Sequence, residues 1–260
     1  MNLGRVFDDE VVAKLYERRT PYSDAVFAAL ARRIVAPRRV LDAGAGTGGL
    51  AGRMTSFAER IDAIEPSRAM IAEGKRLPGG GDPRIRWLEA RTEDAQLDPP
   101  YGLIVCGESL HWMDISVVLP RFCDALAPGA YLAIIGNTNL HGAYREDVWA
   151  VTDRYAAPAK HPETPDAVAE VRTSGVFAIQ GEERTDPMPV ERSVDEYIEF
   201  LHSTSALARA QLGDQAEAFD SELRTVFARH GIERLRYQVV STVTWASPRP
   251  GIPFGLHGAS

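Results

Sequence analysis

Cysteine is nearly absent from this 260-residue chain: Cys106 and Cys123 are the only two, and neither stands in a Cys-x-x-Cys pair. That argues against a disulfide framework or a zinc ribbon. Basic charge is also in short supply. Lys and Arg number 29 against 36 Asp and Glu, a formal net charge of −7, whereas a surface that follows a phosphate backbone is basic. No nucleic-acid partner is expected. No apolar run approaches the roughly 20 residues that span a bilayer, and the first ten residues lack the apolar stretch of a secretory signal. No membrane partner is expected, and the sequence reads as cytoplasmic. Six histidines, at 111, 141, 161, 202, 230 and 257, are scattered rather than set at ligand spacing, so no metal site is expected. A Gly-x-Ser-x-Gly elbow is missing as well, which removes the commonest hydrolase signature.

What is present is an alternation of period. Short apolar runs at 39–42, 60–65, 85–89, 103–106 and 130–135 read as strands. Helical patterns lie between them at 49–57, 67–76 and 114–127. Strands and helices alternating at this spacing predict βαβ units, a parallel sheet and ligands at the carboxyl ends of its strands. An amphipathic stretch at 8–35, broken near Thr20-Pro21, precedes the first strand. After the fifth, helices are expected at 143–156, 164–172, 193–201 and 215–230, with strands at 177–182 and 235–245. The fold class predicted is a doubly wound, mostly parallel, seven-stranded α/β sheet with helices on both faces. A single domain is expected over 1–246: a helical cap (1–36), a core (37–137), a helical lid holding the sixth strand (138–234) and a last strand (235–246). The Pro- and Gly-rich tail, 247–260, is expected to be flexible.

The strongest local signal is Val40-Leu41-Asp42-Ala43-Gly44-Ala45-Gly46-Thr47-Gly48-Gly49, a strand running into three glycines at alternate positions. Glycine permits positive φ and carries no side chain, so a ligand can lie against the bare backbone of such a turn. Gly44, Gly46 and Gly49 also satisfy the spacing of the dinucleotide fingerprint, so the glycines alone do not identify the ligand. Asp42 puts a carboxylate beside the turn, which would repel a pyrophosphate and attract an ammonium. Glu65 closes the second strand, where an acidic side chain can accept from both hydroxyls of a ribose.

From about residue 8 to 137 the sequence resembles class I S-adenosylmethionine-dependent methyltransferases of the small-molecule type, such as the trans-aconitate methyltransferases and those of ubiquinone biosynthesis. The stretch 40–48 is similar to their glycine motif, Ile64-Glu65-Pro66-Ser67 to their ribose loop, and Ala90-Arg91-Thr92-Glu93-Asp94 to their adenine-edge segment. The loop 106–114 is similar to the one that faces the substrate, and Leu126-Ala127-Pro128-Gly129-Ala130 to the turn before their fifth strand. This resemblance implies a Rossmann-like fold and S-adenosyl-L-methionine as cofactor, leaving as S-adenosyl-L-homocysteine. It also implies cofactor contacts from Asp42, Gly44, Ala45, Gly46, Gly48, Glu65, Pro66, Thr92 and Glu93. Tyr16–Tyr22 resembles a segment that covers the cofactor, with Tyr22 in contact with it. The arginine that meets the methionine carboxylate is not identified by the match.

His111 and Trp112 follow the fourth strand and are the expected catalytic residues. Methyl transfer mainly requires in-line positioning and exclusion of water. A hydroxyl acceptor additionally needs a base, a role open to His111. The loop also resembles that of plant and insect carboxyl methyltransferases, which implies an indole N–H of Trp112 holding an acid. The acceptor expected is a small molecule methylated on oxygen, at a carboxylate or a hydroxyl. Alternatives are transfer to nitrogen or carbon, or a nicotinamide-dependent oxidoreductase; the latter is opposed by Asp42. A monomer or homodimer is expected.

Overall fold

The computed structural model describes residues 7–156 and 166–250. Expectations for 1–6, for 157–165 and for most of the flexible tail, 251–260, lie outside those residues. The structure falls into two compact units that interleave along the sequence. One comprises Tyr22–Gly136, Pro165–Thr185 and Ser241–Ser260; the other Met1–Pro21, Asn137–Thr164 and Asp186–Val240.

The first unit contains most of the sheet. Strands β1 (Arg39–Ala43), β2 (Arg60–Glu65), β3 (Ile85–Glu89) and β4 (Tyr101–Gly107) pair in parallel, and β4 pairs in parallel with β5 (Leu126–Leu140). β6 (Phe177–Arg184) is antiparallel to β8 (Arg234–Pro248), and the strand order is β3-β2-β1-β4-β5-β8-β6. The chain therefore winds outward from β1 in one direction and restarts at β4 in the other. The crevice above β1 and β4 is the switch point at which such sheets bind ligands.

Side-chain alternation explains why the central strands are buried on both faces. Leu41, Ala43, Ile104 and Cys106 pack on one side with Val118, Leu119 and Phe122 of helix α5 (Ile115–Ala125). Val40, Leu103 and Val105 pack on the other with Val26, Phe27 and Leu30 of α2 (Asp24–Arg33), and with Met54 of α3 (Ala51–Met54). The helix after the glycine turn is much shorter than the 49–57 expected, because Gly48, Gly49 and Gly52 disfavour helix and 46–50 remain a turn. Helix α4 (Arg68–Gly74) is capped by the Ser67 hydroxyl, which accepts from the Met70 N–H, and α5 by Asp114, which accepts from the Ser116 N–H. Helix α7 (Ala167–Thr173), capped by Asp166, lies in this unit too.

The second unit is mainly helical: α1 (Glu10–Leu15), the 3₁₀ turn Tyr16–Arg18, α6 (Arg145–Tyr155), α8 (Val194–His202), α9 (Arg209–Leu212) and α10 (Ala216–Arg229). Its core joins Tyr144, at the N-cap of α6, Val148 of α6, Tyr197 and Leu201 of α8, and Phe219, Leu223 and Phe227 of α10. A strand not anticipated from sequence, β7 (Met188–Ser193), pairs antiparallel with the first part of β8, Met188 opposite Val239. Its Pro189 and its Glu191-Arg192 pair obscure the β pattern, and proline is tolerated because β7 is an edge strand. β7 makes the sheet eight-stranded. β8 also continues through Pro248, two residues into the stretch expected to be irregular. No described helix is long and apolar enough to cross a membrane.

Candidate active site

Gly44, Gly46 and Gly48 all have left-handed backbone, with φ of 72°, 57° and 76°. The turn is fastened at both flanks. The Ala45 N–H donates to the Ile64 carbonyl at the end of β2. The Gly46 N–H donates to one oxygen of Glu65 (2.9 Å), and the Ser67 N–H donates to the other (2.9 Å). Glu65 is thereby oriented, and buried, at the carboxyl end of β2. Pro66 beside it is exposed.

Gly44 has a second reason to be glycine. A Cβ there would lie 2.6 Å from the Cβ of Ser109, whose hydroxyl donates to the Ala43 carbonyl (2.6 Å). The loop after β4 thus sits directly on the glycine turn. Asp42 lies beneath them, 1% exposed, with an Oδ2 that has no hydrogen-bond partner. Burial pushes its carboxyl pKa up to about 7; the Glu65 charge adds to the rise, and a hydrogen bond from the Ala51 backbone opposes it. A buried acceptor left unfilled next to bare glycine backbone suits the ammonium of an amino-acid ligand.

Thr92 is buried in the segment after β3. Burial alone would raise the pKa of Glu93 beside it, but its pair with Arg91 and the N–H of Asp114 hold the carboxyl below its usual range. Glu93 therefore ties this segment to the start of α5. Tyr22 belongs to the same unit, and its hydroxyl would stand 2.7 Å from a Cβ on Gly107 at the end of β4. Arg18 and Arg19 of the preceding segment are committed to α8: Arg18 pairs with Glu199 and Glu196, and Arg19 donates to the Ser203 carbonyl.

Beyond Ser109 the crevice opens into a cavity of about 220 Å³ between β4, β5, β8 and the start of α7. Its polar lining includes Glu108, His111, Asp166, Thr242 and Thr244, with the Cys106 thiol, and no Lys or Arg is among its described lining residues. Burial, then the Asp42 charge, push the Cys106 pKa up, so the sulfur stays a neutral thiol rather than a nucleophile. Glu108 is the one non-glycine residue with positive φ (53°) among the described residues, an arrangement that costs of order 1 kcal/mol or more. Trp112 stacks obliquely on His111, with ring centroids 5.0 Å apart, but is 42% exposed and does not line the cavity.

The structure thus brings Asp42, the three glycines, Glu65 and the His111 loop together at one sheet edge. Sequence reading includes Glu108 only as part of the loop 106–114 and does not single out the cavity residues Asp166, Thr242 and Thr244. The two threonines were legible in principle, since Thr242 and Thr244 alternate with buried Val243 and Trp245 along β8. The strained conformation of Glu108 leaves no mark in sequence. Among the described residues, no cluster of three or more His, Cys, Asp or Glu side chains could hold a metal.

Residues 40–129, which carry the glycine turn, Glu65 and the loop after β4, match the family described as a methyltransferase domain. The fold is shared with solved structures that are named as methyltransferases. A provisionally assigned type II methyltransferase from Anaeromyxobacter dehalogenans superposes with a TM-score of 0.62 at 22% identity, over 88% of this chain and 97% of that one. An S-adenosylmethionine-dependent methyltransferase from Geobacter sulfurreducens, solved with S-adenosyl-L-homocysteine, superposes with a TM-score of 0.53 at 16% identity, over 93% and 98%. In sequence, an uncharacterized methyltransferase of Mycobacterium tuberculosis is 31% identical over 104 residues, 40% of this chain. The chain spans 41% of that relative's length in the match.

Proposed function

We propose that this protein transfers a methyl group from S-adenosyl-L-methionine to a hydroxyl oxygen of a small molecule. The observation that carries the cofactor assignment is the buried, unpartnered Oδ2 of Asp42 beside three left-handed glycines. Asp42 and the turn would hold the amino-acid end, Glu65 the ribose hydroxyls, and the Thr92–Glu93 segment the adenine edge. A nicotinamide dinucleotide fits less well. Its pyrophosphate would meet the charges of Asp42 and Glu65, and the four residues of α3 offer little helix dipole to offset them.

Bound S-adenosylmethionine supplies a methyl group activated on a sulfonium. The chain's own residues position the acceptor and take its proton. Glu108 and Asp166 put negative charge on the cavity wall, with no Lys or Arg among the described lining residues, which disfavours a carboxylate acceptor and suits a hydroxyl that donates to them. This replaces the expected capture of an acid by Trp112. His111, which lines the cavity, accepts the hydroxyl proton as the oxygen attacks. The apolar wall of Leu110, Ile134 and Ile135 keeps water from the reacting atoms.

Titration with S-adenosyl-L-homocysteine and with NADH separates the cofactors. Glu65→Gln should weaken homocysteine-product binding at least about tenfold, because a ribose hydroxyl loses a charged acceptor. His111→Asn should leave that affinity unchanged and abolish methyl transfer in a screen of phenols, alcohols, carboxylic acids and amines with labelled donor. Tighter binding of NADH would overturn the cofactor, and methylation of acids or amines alone would overturn the acceptor.

A further inference from the structure

In the mainly helical unit, the side chain of Arg192 is more than nine-tenths buried, yet its Nη1 has no hydrogen-bond partner. Its Nη2 makes one long bond, to the Thr20 hydroxyl at 3.3 Å, and its guanidinium lies over the Phe200 ring, 4.7 Å from the centroid. The neighbouring carboxylates are occupied elsewhere. Glu191 pairs with Arg234 and Arg236, and Glu196 closes the capping box of α8 and faces Arg18. Arg192 therefore has no ion-pair partner among the described residues. Burial pulls its pKa down, as expected of a cation held without a counter-charge.

The hydroxyls beside it are neutral: the Thr20 hydroxyl, which accepts from Nη2, and the Tyr237 phenol. Tyr237 is 4% exposed, and its hydroxyl, though near Thr20, makes no well-formed hydrogen bond. His141 packs against Tyr237, with ring centroids 4.9 Å apart, and against Tyr197 at 5.8 Å. Buried donors normally have acceptors, and a buried guanidinium normally has an anion. Two unfilled donors of this kind in one aromatic-walled cluster describe a receptor lacking its ligand.

We propose that Arg192, with the Tyr237 hydroxyl beside it, binds a compact oxyanion, a carboxylate or a phosphate, carried by a small molecule. Arg192, Tyr237, His141 and Tyr197 belong neither to the glycine turn nor to the cavity lining; Thr20 lies in the Tyr16–Tyr22 segment. A guanidinium is the side chain best shaped for such an oxyanion, and the phenol adds a neutral donor that does not compete for the charge. An ordered water would also fill the two donors, but it would create no dependence on anions.

The test uses the full-length protein, with thermal unfolding and calorimetric titration against sodium acetate, sodium benzoate and inorganic phosphate. Sodium chloride at matched ionic strength controls for general screening. The wild type should be stabilised by an oxyanion beyond the chloride control. Arg192→Met should weaken that binding at least about tenfold, and Tyr237→Phe should weaken it less. Arg192→Met should also unfold at a higher temperature than the wild type when no oxyanion is present, because it removes a buried unpaired charge. Arg192→Lys retains charge without the fork and should fall between wild type and Arg192→Met. A larger response to the carboxylates identifies a carboxylate ligand, and a larger response to phosphate a phosphorylated one. Oxyanion stabilisation no greater than with chloride, or equal in wild type and Arg192→Met, would overturn the proposal.

Discussion

Asp42 holds a buried carboxyl group that has no strong partner, and this links cofactor affinity, stability and pH at a single residue. Its folded-state pKa, about 7, stands above the ordinary 3.8, so the folded protein retains a proton there that the unfolded chain has released. Stability from this group is fully present below the ordinary value and is lost as pH rises through about 7. The displacement corresponds to on the order of 4 kcal/mol. Asp42→Asn should therefore raise the unfolding midpoint of the ligand-free protein at about pH 8, where the native carboxylate is charged, and change it little at about pH 4. The same substitution should weaken S-adenosyl-L-homocysteine, whose ammonium then lacks a counter-charge. Wild-type affinity should increase from about pH 6 to 8 and the variant's should stay flat. Calorimetry across that range is decisive: equal pH dependence in both proteins would remove Asp42 from the cofactor site. This residue was legible before any coordinates, as a carboxylate ending a strand beside glycines. Its missing partner was not, because burial depends on what the rest of the chain packs above it.

At the scale of elements, periodicity identified every parallel strand and each helix of three turns or more, since their buried faces repeat along the sequence. It failed where local chemistry contradicts the pattern: at β7, whose charges and proline mask an edge strand, and at α3, shortened by glycines. The helices of the second unit also hide a polar joint. His202 at the end of α8 lies 2.7 Å from the Leu207 carbonyl oxygen through Nδ1, and 2.8 Å from Oδ1 of Asp220 on α10 through Nε2. Asp220 also pairs with Arg209. His202 and Asp220 are both buried, 1% and 4% exposed, so this contact locks two helices by a bond that cannot be exchanged for water. Replacing His202 with Phe preserves bulk but leaves Asp220 short of a donor, and should destabilise the protein by about 3 kcal/mol. Asp220→Asn should cost less, because the amide keeps an acceptor and removes the charge. Denaturant unfolding of the two variants measures the difference, and a His202→Phe loss below about 1 kcal/mol would mean that the joint carries little.

Across the whole molecule, sequence reading expected a cap, a core and a lid in succession, whereas the compact units interleave. A change of pattern near 137 was visible. That 165–185 and 241 onward rejoin the sheet was not, because such pairing is set by contacts between distant segments rather than by local period. The strand order places β8 between β5 and β6, and both arrive late in the sequence. During synthesis, a chain that has emerged through Leu140 already possesses β1 to β5, yet the outer edge of β5 waits for β8, which begins only at Arg234. Ile134 and Ile135 lie on that strand, and Trp245, fully buried in the finished core, comes only with β8. An unpaired apolar strand edge invites pairing with other chains. A protein ending at Val240 should therefore keep α8 and α10 yet accumulate as aggregate, whereas a chain ending at Arg249 should remain dispersed and cooperative in melting. Sedimentation and thermal unfolding of the two truncations would show this. The nascent protein, in these terms, spends about a third of its translation time with five strands made and the edge of β5 waiting, an interval in which shielding of that edge would protect its yield.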